Sequence, residues 1–325
     1  MKLRRFGQTG LEVSEVAFGG GRSGGILIDA DENIRYDAVR RAIDLGVNWF
    51  DTAPQYGDGK SEKALGAILV DIPEKPLVST KVRINLRSSE SVISQVERSV
   101  TESLSRLRRD EIDLLQIHSL ITLEASERTI SIDDVLRRDG IADSMEKLRD
   151  RGMIRFMGLT ALGNNVSTIE VINSGRFDAA QVYYNLINPS SGWDVKPQNW
   201  QSYNGAGVMR ACVAQKMAIM AIRIFAASYL ATTVRTGRES ILTENTDAQT
   251  EASHADAVFS RIGDRSETRA QTAVRFVLSN QAVSTAIIGL SDIFHLEEAC
   301  EAVEMGPLSE EICATLHRLY EKGFT

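Results

Sequence analysis

Apolar stretches recur along the chain at intervals that predict eight strands, each followed by a helix. Every predicted strand is short and almost continuously apolar, which is typical of parallel strands that are covered on both faces. In chain order the strands are VSEVAFG, VNWFDT, PLVSTKV, IDLLQIH, IRFMGLT, DAAQVYYN, MAIMAIRIF and STAIIGL.

The segments between these strands have the spacing of amphipathic helices. After the third strand, one apolar stripe consists of Val92, Val96, Val100, Leu104 and Leu107. Eight consecutive strand and helix units close naturally into a (β/α)8 TIM barrel. We therefore expect residues 1–325 to form one α/β barrel domain, with an N-terminal β-hairpin at RRFGQTGLEV and an extra C-terminal helix at SEEICATLHRLYEKG.

The connection after the seventh strand stands out by its length. Residues 226–266 are polar and rich in Thr, Ser, Asp and Arg, and we expect a loop there. Loops of more than about 15 residues usually have a function, and a mobile lid is one interpretation of this segment.

The amino-acid composition of the chain argues against nucleic-acid and membrane partners. Hydrophobic residues make up 43% of the chain and charged residues 25%, and the net charge is −7, without the basic tract of a nucleic-acid binder. The three cysteines are far apart, which favours reduced thiols in a cytoplasmic protein. The apolar run MAIMAI is too short to span a bilayer. We expect neither nucleic-acid nor membrane partners, and the sequence makes no prediction of the oligomeric state.

Four polar side chains lie where a barrel places its chemistry, at the C-terminal ends of strands. Asp51, Lys81 and His118 end the second, third and fourth strands, and Tyr56 follows Asp51 by five residues. Neighbouring strands are about 4.8 Å apart, so these groups can meet in one small volume. Taken singly, each also has a structural explanation, as a turn cap, a solvated strand end or a packed histidine.

Together, the four side chains suit the reduction of a carbonyl group. A lysine ammonium beside Tyr56 is expected to lower the pKa of the phenol from about 10, and Asp51 to anchor the lysine. His118 would donate a second hydrogen bond to the carbonyl oxygen. Hydride transfer from a nicotinamide cofactor follows as a hypothesis. The four histidines form no HxH or HExxH pair, which disfavours metal-dependent hydrolysis, and we expect no bound metal.

The chain resembles the aldo-keto reductase family over essentially its whole length. The stretches that carry the resemblance are NWFDTAPQYGDGKSEKALG, VSTKV, IDLLQIH, AAQVYYNLIN and STAIIGLSDIFHLEEACEA. The resemblance implies hydride transfer between NADP(H), or alternatively NAD(H), and an aldehyde or ketone or the corresponding alcohol or sugar. It makes Tyr56 the general acid, tuned by Lys81 and Asp51, with His118 positioning the substrate.

The resemblance also implies where the cofactor binds. The nicotinamide carboxamide would lie between the fifth and sixth strands, the diphosphate along residues 223–230 and the adenosine along residues 289–298. The implied contacts are Gly20, Gly21, Asp51, Thr160, Gln181, Ile222, Arg223, Phe225, Ser228, Leu230, Gly289, Ser291, His295 and Glu298.

Several positions depart from the family pattern. Thr160 and Ala161 replace the usual serine and asparagine, and Ile222 replaces the aromatic residue that stacks on the nicotinamide. Gly289 and His295 stand where members that prefer NADPH carry lysine or arginine, which weakens the preference for a 2′-phosphate.

Three arginines offer other phosphate contacts, because a guanidinium pairs with phosphate through two hydrogen bonds. They are Arg223 at the end of the seventh strand, and Arg235 and Arg238 in the long connection. Solvated loop charge is the alternative interpretation of all three.

Three other interpretations of these motifs compete. GGGRSG matches the dinucleotide fingerprint GxGxxG, which would make Asp51 a ribose ligand, but GILIDADEN separates the glycines from the next helix. We expect these glycines to form a flexible loop that approaches the cofactor or substrate. Lys81 also suits a Schiff-base lyase, and a barrel that binds a dinucleotide without turnover would be a cofactor sensor.

Overall fold

The computed structural model describes residues 1–22, 24–235, 239, 246–263 and 265–324. Its strands are β1 (Leu3–Arg5), β2 (Glu12–Ser14), β3 (Val16–Gly19), β4 (Trp49–Asp51), β5 (Leu77–Val82), β6 (Ile112–Ile117), β7 (Leu120–Thr122), β8 (Thr129–Ser131), β9 (Ile154–Ala161), β10 (Ala179–Tyr183), β11 (Ala218–Ile222) and β12 (Thr285–Gly289). Its helices are α1 (Ile26–Asp29), α2 (Glu32–Asp44), α3 (Lys60–Leu69), α4 (Val92–Leu107), α5 (Ile132–Leu136), α6 (Ile141–Asp150), α7 (Asn165–Asn173), α8 (Val208–Ala214), α9 (Ala248–Ile262), α10 (Arg269–Ser279), α11 (Ile293–Met305) and α12 (Glu310–Glu321).

Eight parallel strands form a closed barrel. Their order around the barrel is β3, β4, β5, β6, β9, β10, β11 and β12, and β12 pairs with β3 to close the ring. β1 and β2 pair antiparallel ahead of the barrel, with Leu3 opposite Ser14, and α12 follows the last unit. The predicted (β/α)8 fold with its hairpin and extra helix is confirmed.

The hairpin closes the N-terminal end of the barrel. Phe6 and Val13 belong to the apolar cluster inside the barrel, and the ring centroid of Phe6 is 4.5 Å from that of Trp49. The backbones approach so closely that a Cβ on Gly7 would lie 2.6 Å from the amide nitrogen of Ala218. Because the hairpin fills the N-terminal end of the barrel, a ligand can reach the interior from the C-terminal end.

The connection after β6 differs from its prediction as a single helix. β7 and β8 first pair in parallel, and two helices follow, because Asp139 between them has a left-handed backbone with φ 56°. A capping box formed by Ser131 and Asp134 begins the first of these helices.

The long connection after β11 is not a continuous loop, so that prediction was wrong for residues 248–262, which form α9. Asp247 caps this helix by accepting a hydrogen bond from the amide of Thr250. Glu251, Ala255 and Val258 are buried at helical spacing. Arg238 and the other residues of 236–238, together with 240–245 and 264, lie outside the described residues, and the lid stays a prediction.

Aromatic side chains join α12 to the connection after β10. The Trp193 ring centroid is 4.9 Å from that of Trp200 and 5.9 Å from that of Tyr320, and Trp200 is 2% exposed. Across the described part of the chain, no helix combines the length and apolarity needed to cross a membrane.

Candidate active site

A buried ion pair lies at the C-terminal end of the barrel. The ammonium of Lys81 is 2.6 Å from Oδ2 of Asp51 and donates a second hydrogen bond, of 2.8 Å, to the carbonyl oxygen of Thr52. The Lys81 side chain is 1% exposed and that of Asp51 4%. Adjacent strands β4 and β5 bring the two side chains together, as the sequence predicted.

The other carboxylate oxygen of Asp51 accepts three hydrogen bonds. Its donors are the hydroxyl of Ser79 at 2.7 Å, the amide of Gln181 at 2.7 Å and the amide of Gln116 at 3.2 Å. Four donors therefore hold the carboxylate in one orientation. The indole N–H of Trp49 in turn donates to Ser79 at 3.0 Å.

The sequence analysis missed Ser79 and Gln116. Each precedes a predicted site residue by two positions, Lys81 in one case and His118 in the other. Because side chains alternate along a strand, both share the inward face of the residue that they precede. A polar residue at such a position, in a strand that is otherwise apolar, was the available signal.

A left-handed turn brings Tyr56 over the ion pair. Gly57, Asp58 and Gly59 have φ values of 63°, 51° and 80°. The amide of Gly59 donates to the carbonyl of Pro54 at 2.8 Å. As a result, the Lys81 ammonium lies 4.7 Å from the centroid of the Tyr56 ring.

The expected lowering of the Tyr56 pKa is wrong in its net direction. Burial raises the pKa of the phenol, and although the Lys81 charge opposes this, Asp51 offsets part of that charge and the pKa is raised. Burial also works against the charge of Lys81, but Asp51 and Tyr56 outweigh it and raise the pKa of the ammonium. Tyr56 is therefore a protonated phenol beside a charged ammonium.

His118 completes the cluster as a neutral imidazole. Its backbone amide donates to the carbonyl of Val82 at 2.8 Å, and its Nδ1 lies 3.0 Å from Oε1 of Gln55. The His118 ring packs edge-on to that of Tyr56, with centroids 5.9 Å apart. Burial, then Lys81 and Arg83, lower the pKa of His118 to about 2. We refer to Asp51, Tyr56, Lys81 and His118 as the catalytic cluster.

Thr160 and Gln181 lie opposite each other on β9 and β10. The Thr160 hydroxyl is buried and has no hydrogen-bond partner within the described residues. The Gln181 amide nitrogen donates to Asp51 at 2.7 Å, which links the predicted carboxamide site to the ion pair.

The predicted diphosphate segment, residues 223–230, has an unusual backbone. Arg223, Ala226, Ala227 and Ser228 all have positive φ, the last at 87°. The Ser228 hydroxyl has no hydrogen-bond partner within the described residues.

The side chains of Ile222 and of the diphosphate segment that follows it differ in their exposure. Ile222 and Phe225 are half-buried and pack against the apolar clusters, whereas Leu230 is fully buried. The amide of Leu230 donates to the carbonyl of Phe225 at 3.1 Å, so Leu230 stabilises the turn.

Arg223 does not extend toward the predicted adenosine region. Its guanidinium lies 5.3 Å from the centroid of the Tyr183 ring, at the end of β10. Burial lowers the Arg223 pKa, and Tyr183 and Glu251 of α9 oppose this. Arg235 stacks on Tyr229 at 4.3 Å.

The glycine loop after β3 packs against Tyr56 and against the end of β12. A Cβ on Gly21 would lie 3.4 Å from Cζ of Tyr56, and one on Gly20 2.5 Å from the Ser61 hydroxyl. A Cβ on Gly24 would clash with the backbone of Leu290 at 2.1 Å. The backbone contact at Gly24 requires glycine and joins the loop to the end of β12, whereas a Cβ at Gly21 would make only ordinary van der Waals contact.

GILIDADEN, which separates the glycines from α2, itself contains the short helix α1. The amide of Ile26 donates to Leu290 at 3.0 Å. Asp51 is paired with Lys81 inside a closed barrel, which excludes its rival role as a ribose ligand in an open sheet.

The predicted adenosine residues lie at the end of β12 and the start of α11. Gly289 is exposed, and among the described residues only the Gly24 amide nitrogen lies within 4 Å of the position that a Cβ on Gly289 would take, at 3.6 Å. The hydroxyl of Ser291 is 3.3 Å from Nδ1 of His295, and Glu298 is half-buried one turn further along.

The residues at the mouth fit a nicotinamide dinucleotide. Buried hydroxyls without a partner occur at Thr160 and Ser228, in the two places where a carboxamide and a diphosphate are expected to bind. Within the described ranges, no group of three or more His, Cys, Asp or Glu side chains is arranged to hold a metal ion.

Comparison with known proteins places this geometry in a family. The chain is 28% identical over 310 residues to L-galactose dehydrogenase of Arabidopsis thaliana, covering 93% of this chain and 88% of that protein. It is 22% identical over 330 residues to the uncharacterized oxidoreductase YqkF of Bacillus subtilis (strain 168), covering 96% and 94%.

Solved structures show the same fold. The holo form of aldo-keto reductase AKR11C1 from Bacillus halodurans superposes with a TM-score of 0.73 at 22% identity, covering 98% of this chain and 96% of that one. An aldo-keto reductase from Klebsiella pneumoniae in complex with NADPH gives 0.70 at 22% identity, covering 98% and 95%. The profile of the Aldo/keto reductase family matches residues 15–321, and the chain therefore belongs to this family of oxidoreductases.

Proposed function

We propose that the protein transfers hydride between a nicotinamide dinucleotide and a carbonyl compound or the corresponding alcohol, with Tyr56 as the proton donor. The observation that carries this proposal is the charged Lys81–Asp51 pair, 2.6 Å apart, beneath a protonated tyrosine and beside a neutral histidine. The dinucleotide, when bound, supplies or accepts the hydride. Thr160, Gln181 and Ser228 would hold it.

The side chains divide the proton chemistry between them. Tyr56 donates its phenolic proton to the carbonyl oxygen, and the adjacent Lys81 ammonium stabilises the phenolate that remains. Asp51 keeps that ammonium in place. Because its pKa is raised, Tyr56 keeps its proton at neutral pH and is available there as the donor for reduction.

His118 orients the carbonyl through its outer nitrogen. In this role His118 carries its proton on Nε2, and the Gln55 amide, whose Oε1 faces Nδ1 in the structure, is turned by a half-turn so that its NH2 group donates to Nδ1. Its pKa of about 2 means that His118 acts as a neutral donor and not as an acid.

The choice of dinucleotide is part of the proposal. NADP(H) is favoured because a structural relative is described as an NADPH complex. NAD(H) is the alternative, because Gly289 offers no side chain to a 2′-phosphate. A Schiff-base role for Lys81 is disfavoured, because its raised pKa keeps the amine protonated and therefore not nucleophilic.

Tyr56→Phe tests the proposal in an assay that follows nicotinamide absorbance with NADPH, NADH and their oxidised forms against aldehydes, ketones, sugars and alcohols. We expect turnover to fall by about a hundredfold or more while cofactor affinity is unchanged. Tyr36→Phe, on an exposed tyrosine of α2, is the matched control. Unchanged turnover in Tyr56→Phe would refute the assignment, and cofactor binding without turnover of any substrate would favour the sensor.

A further inference from the structure

Arg83 is the first residue after β5 and follows Lys81 by two positions. Val82 and Ile84 are buried in the outer apolar cluster, between the barrel and its helices. Because successive side chains alternate, the side chains of Lys81 and Arg83 lie on the opposite, inward side. An extended chain advances about 6.6 Å over two residues. Arg83 therefore lies at the rim of the barrel, about that far beyond Lys81 and its ion pair.

Backbone contacts on both sides fix this position. The Val82 carbonyl accepts from the amide of His118 at 2.8 Å, and the amide of Ile84 donates to the Ser119 hydroxyl at 3.2 Å. The end of β5 is therefore held against the end of β6 on either side of Arg83.

Arg83 differs from the neighbouring arginines in its lack of a partner. Arg87 lies 3.6 Å from Glu127, and Arg98 lies 2.8 Å from Glu90. Arg83 is exposed, and within the described residues it forms neither a hydrogen bond nor an ion pair. An unpaired guanidinium at the mouth of a site is available to a ligand.

The positive charge of Arg83 affects the pKa values of His118 and Tyr56. It contributes to the low pKa of His118 and opposes the rise in the pKa of Tyr56. A ligand group at Arg83 would thus be close to the carbonyl that Tyr56 and His118 contact.

Building on the proposed function, we propose that Arg83 binds an oxyanion of the substrate, so that this enzyme prefers short carbonyl compounds that carry a carboxylate or a phosphate. A guanidinium pairs with either group through two parallel hydrogen bonds. The anionic end of the substrate lies at the rim, and its carbonyl lies between Tyr56 and His118.

Matched pairs of substrates test the preference. The first arm compares 4-oxobutanoate with its methyl ester, and the second compares glyceraldehyde 3-phosphate with glyceraldehyde, each as kcat/KM. In the wild type we expect the anionic member of at least one pair to be preferred by about tenfold or more. The two arms distinguish a carboxylate from a phosphate.

Variants assign the preference to Arg83. In Arg83→Gln we expect kcat/KM for the preferred anion to fall by about ten- to hundredfold, chiefly through KM, while the neutral partner is unaffected. Arg83→Lys should recover part of the loss, because it restores the charge but not the paired geometry. Arg87→Gln is the control on a neighbouring exposed arginine and should change neither substrate.

The proposal is overturned if the wild type shows no charge preference, or if Arg83→Gln lowers both members of a pair equally. A second experiment requires no turnover: calorimetry measures the affinity of the protein with NADP+ for butanoate and for butanamide. Equal affinity for the two overturns the role of Arg83 even when no carbonyl is reduced. Catalysis without charge preference leaves the proposed reductase intact, and absence of any catalysis counts against the reductase alone.

Discussion

The catalytic cluster and the predicted diphosphate segment satisfy their polar groups in different ways. In the cluster, the Asp51 carboxylate accepts four hydrogen bonds from side chains of the barrel itself. In the segment of residues 223–230, the Ser228 hydroxyl has no partner among the described residues, and four residues have positive φ. The Asp51 carboxylate is satisfied without a ligand, whereas the second region has an unused hydroxyl and residues of positive φ.

This difference teaches which property each region contributes. Catalytic groups must be oriented before the substrate arrives, because preorganised charges lower the barrier without reorganisation. A cofactor site can leave its polar groups open, because the ligand supplies the missing partners. Changes in the cluster should therefore affect turnover and stability together, and changes in the segment should affect cofactor affinity.

Removing the ammonium should produce the largest effect. In Lys81→Met, the buried Asp51 carboxylate has no counter-charge, and we expect a loss of about 3 to 5 kcal/mol in the free energy of unfolding. Turnover should fall by about a thousandfold, because the phenolate loses its adjacent charge. Urea denaturation and steady-state kinetics measure the two losses.

A double variant separates these two effects. Lys81→Met with Asp51→Asn should recover most of the stability but none of the turnover. Lys60→Met, on an exposed lysine, is the control. If Lys81→Met proved as stable as the wild type, the cluster would not be held by its own ion pair.

The second largest effect concerns the orientation of Asp51. Ser79→Ala removes a 2.7 Å hydrogen bond from the carboxylate and leaves the Trp49 indole without its acceptor. We expect kcat to fall by about tenfold, with the cofactor dissociation constant unchanged. Thr285→Val removes a buried hydroxyl without a described partner from the start of β12 and should leave kcat unchanged. Equal losses in the two variants would indicate general barrel packing.

The third prediction is a pH dependence of stability. The folded-state pKa of His118 is about 2 and its unfolded value about 6.5, so below pH 6.5 only the unfolded state binds this proton. The contribution of His118 is complete above pH 6.5 and is lost as the pH falls.

Between pH 7 and 5, we expect the wild type to lose about 1 to 2 kcal/mol more than His118→Gln, a range that allows for solvent at the half-buried ring. Urea denaturation at both pH values checks this. His317→Gln, on an exposed histidine of α12, is the control and should behave as the wild type. Parallel curves for wild type and His118→Gln would contradict the burial of a neutral imidazole.

We expect the smallest effect from Ser228→Gly, which should increase stability but weaken cofactor binding. Ser228→Gly relieves a backbone with φ 87° and should raise the free energy of unfolding by about 1 kcal/mol. It also removes the unpaired hydroxyl, and cofactor affinity should fall by about three- to fivefold. Ala227→Gly, at φ 54°, should stabilise without weakening the cofactor. Unchanged affinity in Ser228→Gly would remove this hydroxyl from the cofactor site.

The sequence predicted those features that barrel topology determines. Asp51, Lys81 and His118 end three successive strands, and any closed parallel barrel brings such ends together. The sequence could not predict whether the pKa of Tyr56 is raised or lowered. The answer depends on how deeply the phenol is buried and on how far Asp51 offsets the charge of Lys81, and both follow from the three-dimensional structure.

Local backbone geometry set the other limit. The break at Asp139 and the helix of residues 248–262 depend on left-handed residues and tertiary packing, which composition does not show. By contrast, Ser79 and Gln116 were visible as polar residues on the inward face of apolar strands, and the alternation of side chains was enough to find them.

The indole of Trp49 joins the two ends of the barrel. Its ring packs against that of Phe6 in the hairpin at a tilt, and its N–H donates to Ser79, which donates to Asp51. The chain has three tryptophans, and the other two, Trp193 and Trp200, pack against each other beside the C-terminal helix. With both of those replaced by phenylalanine, the remaining emission would come from a fluorophore two hydrogen bonds from the Asp51 carboxylate, and its wavelength would report the state of the reaction centre from within the protein.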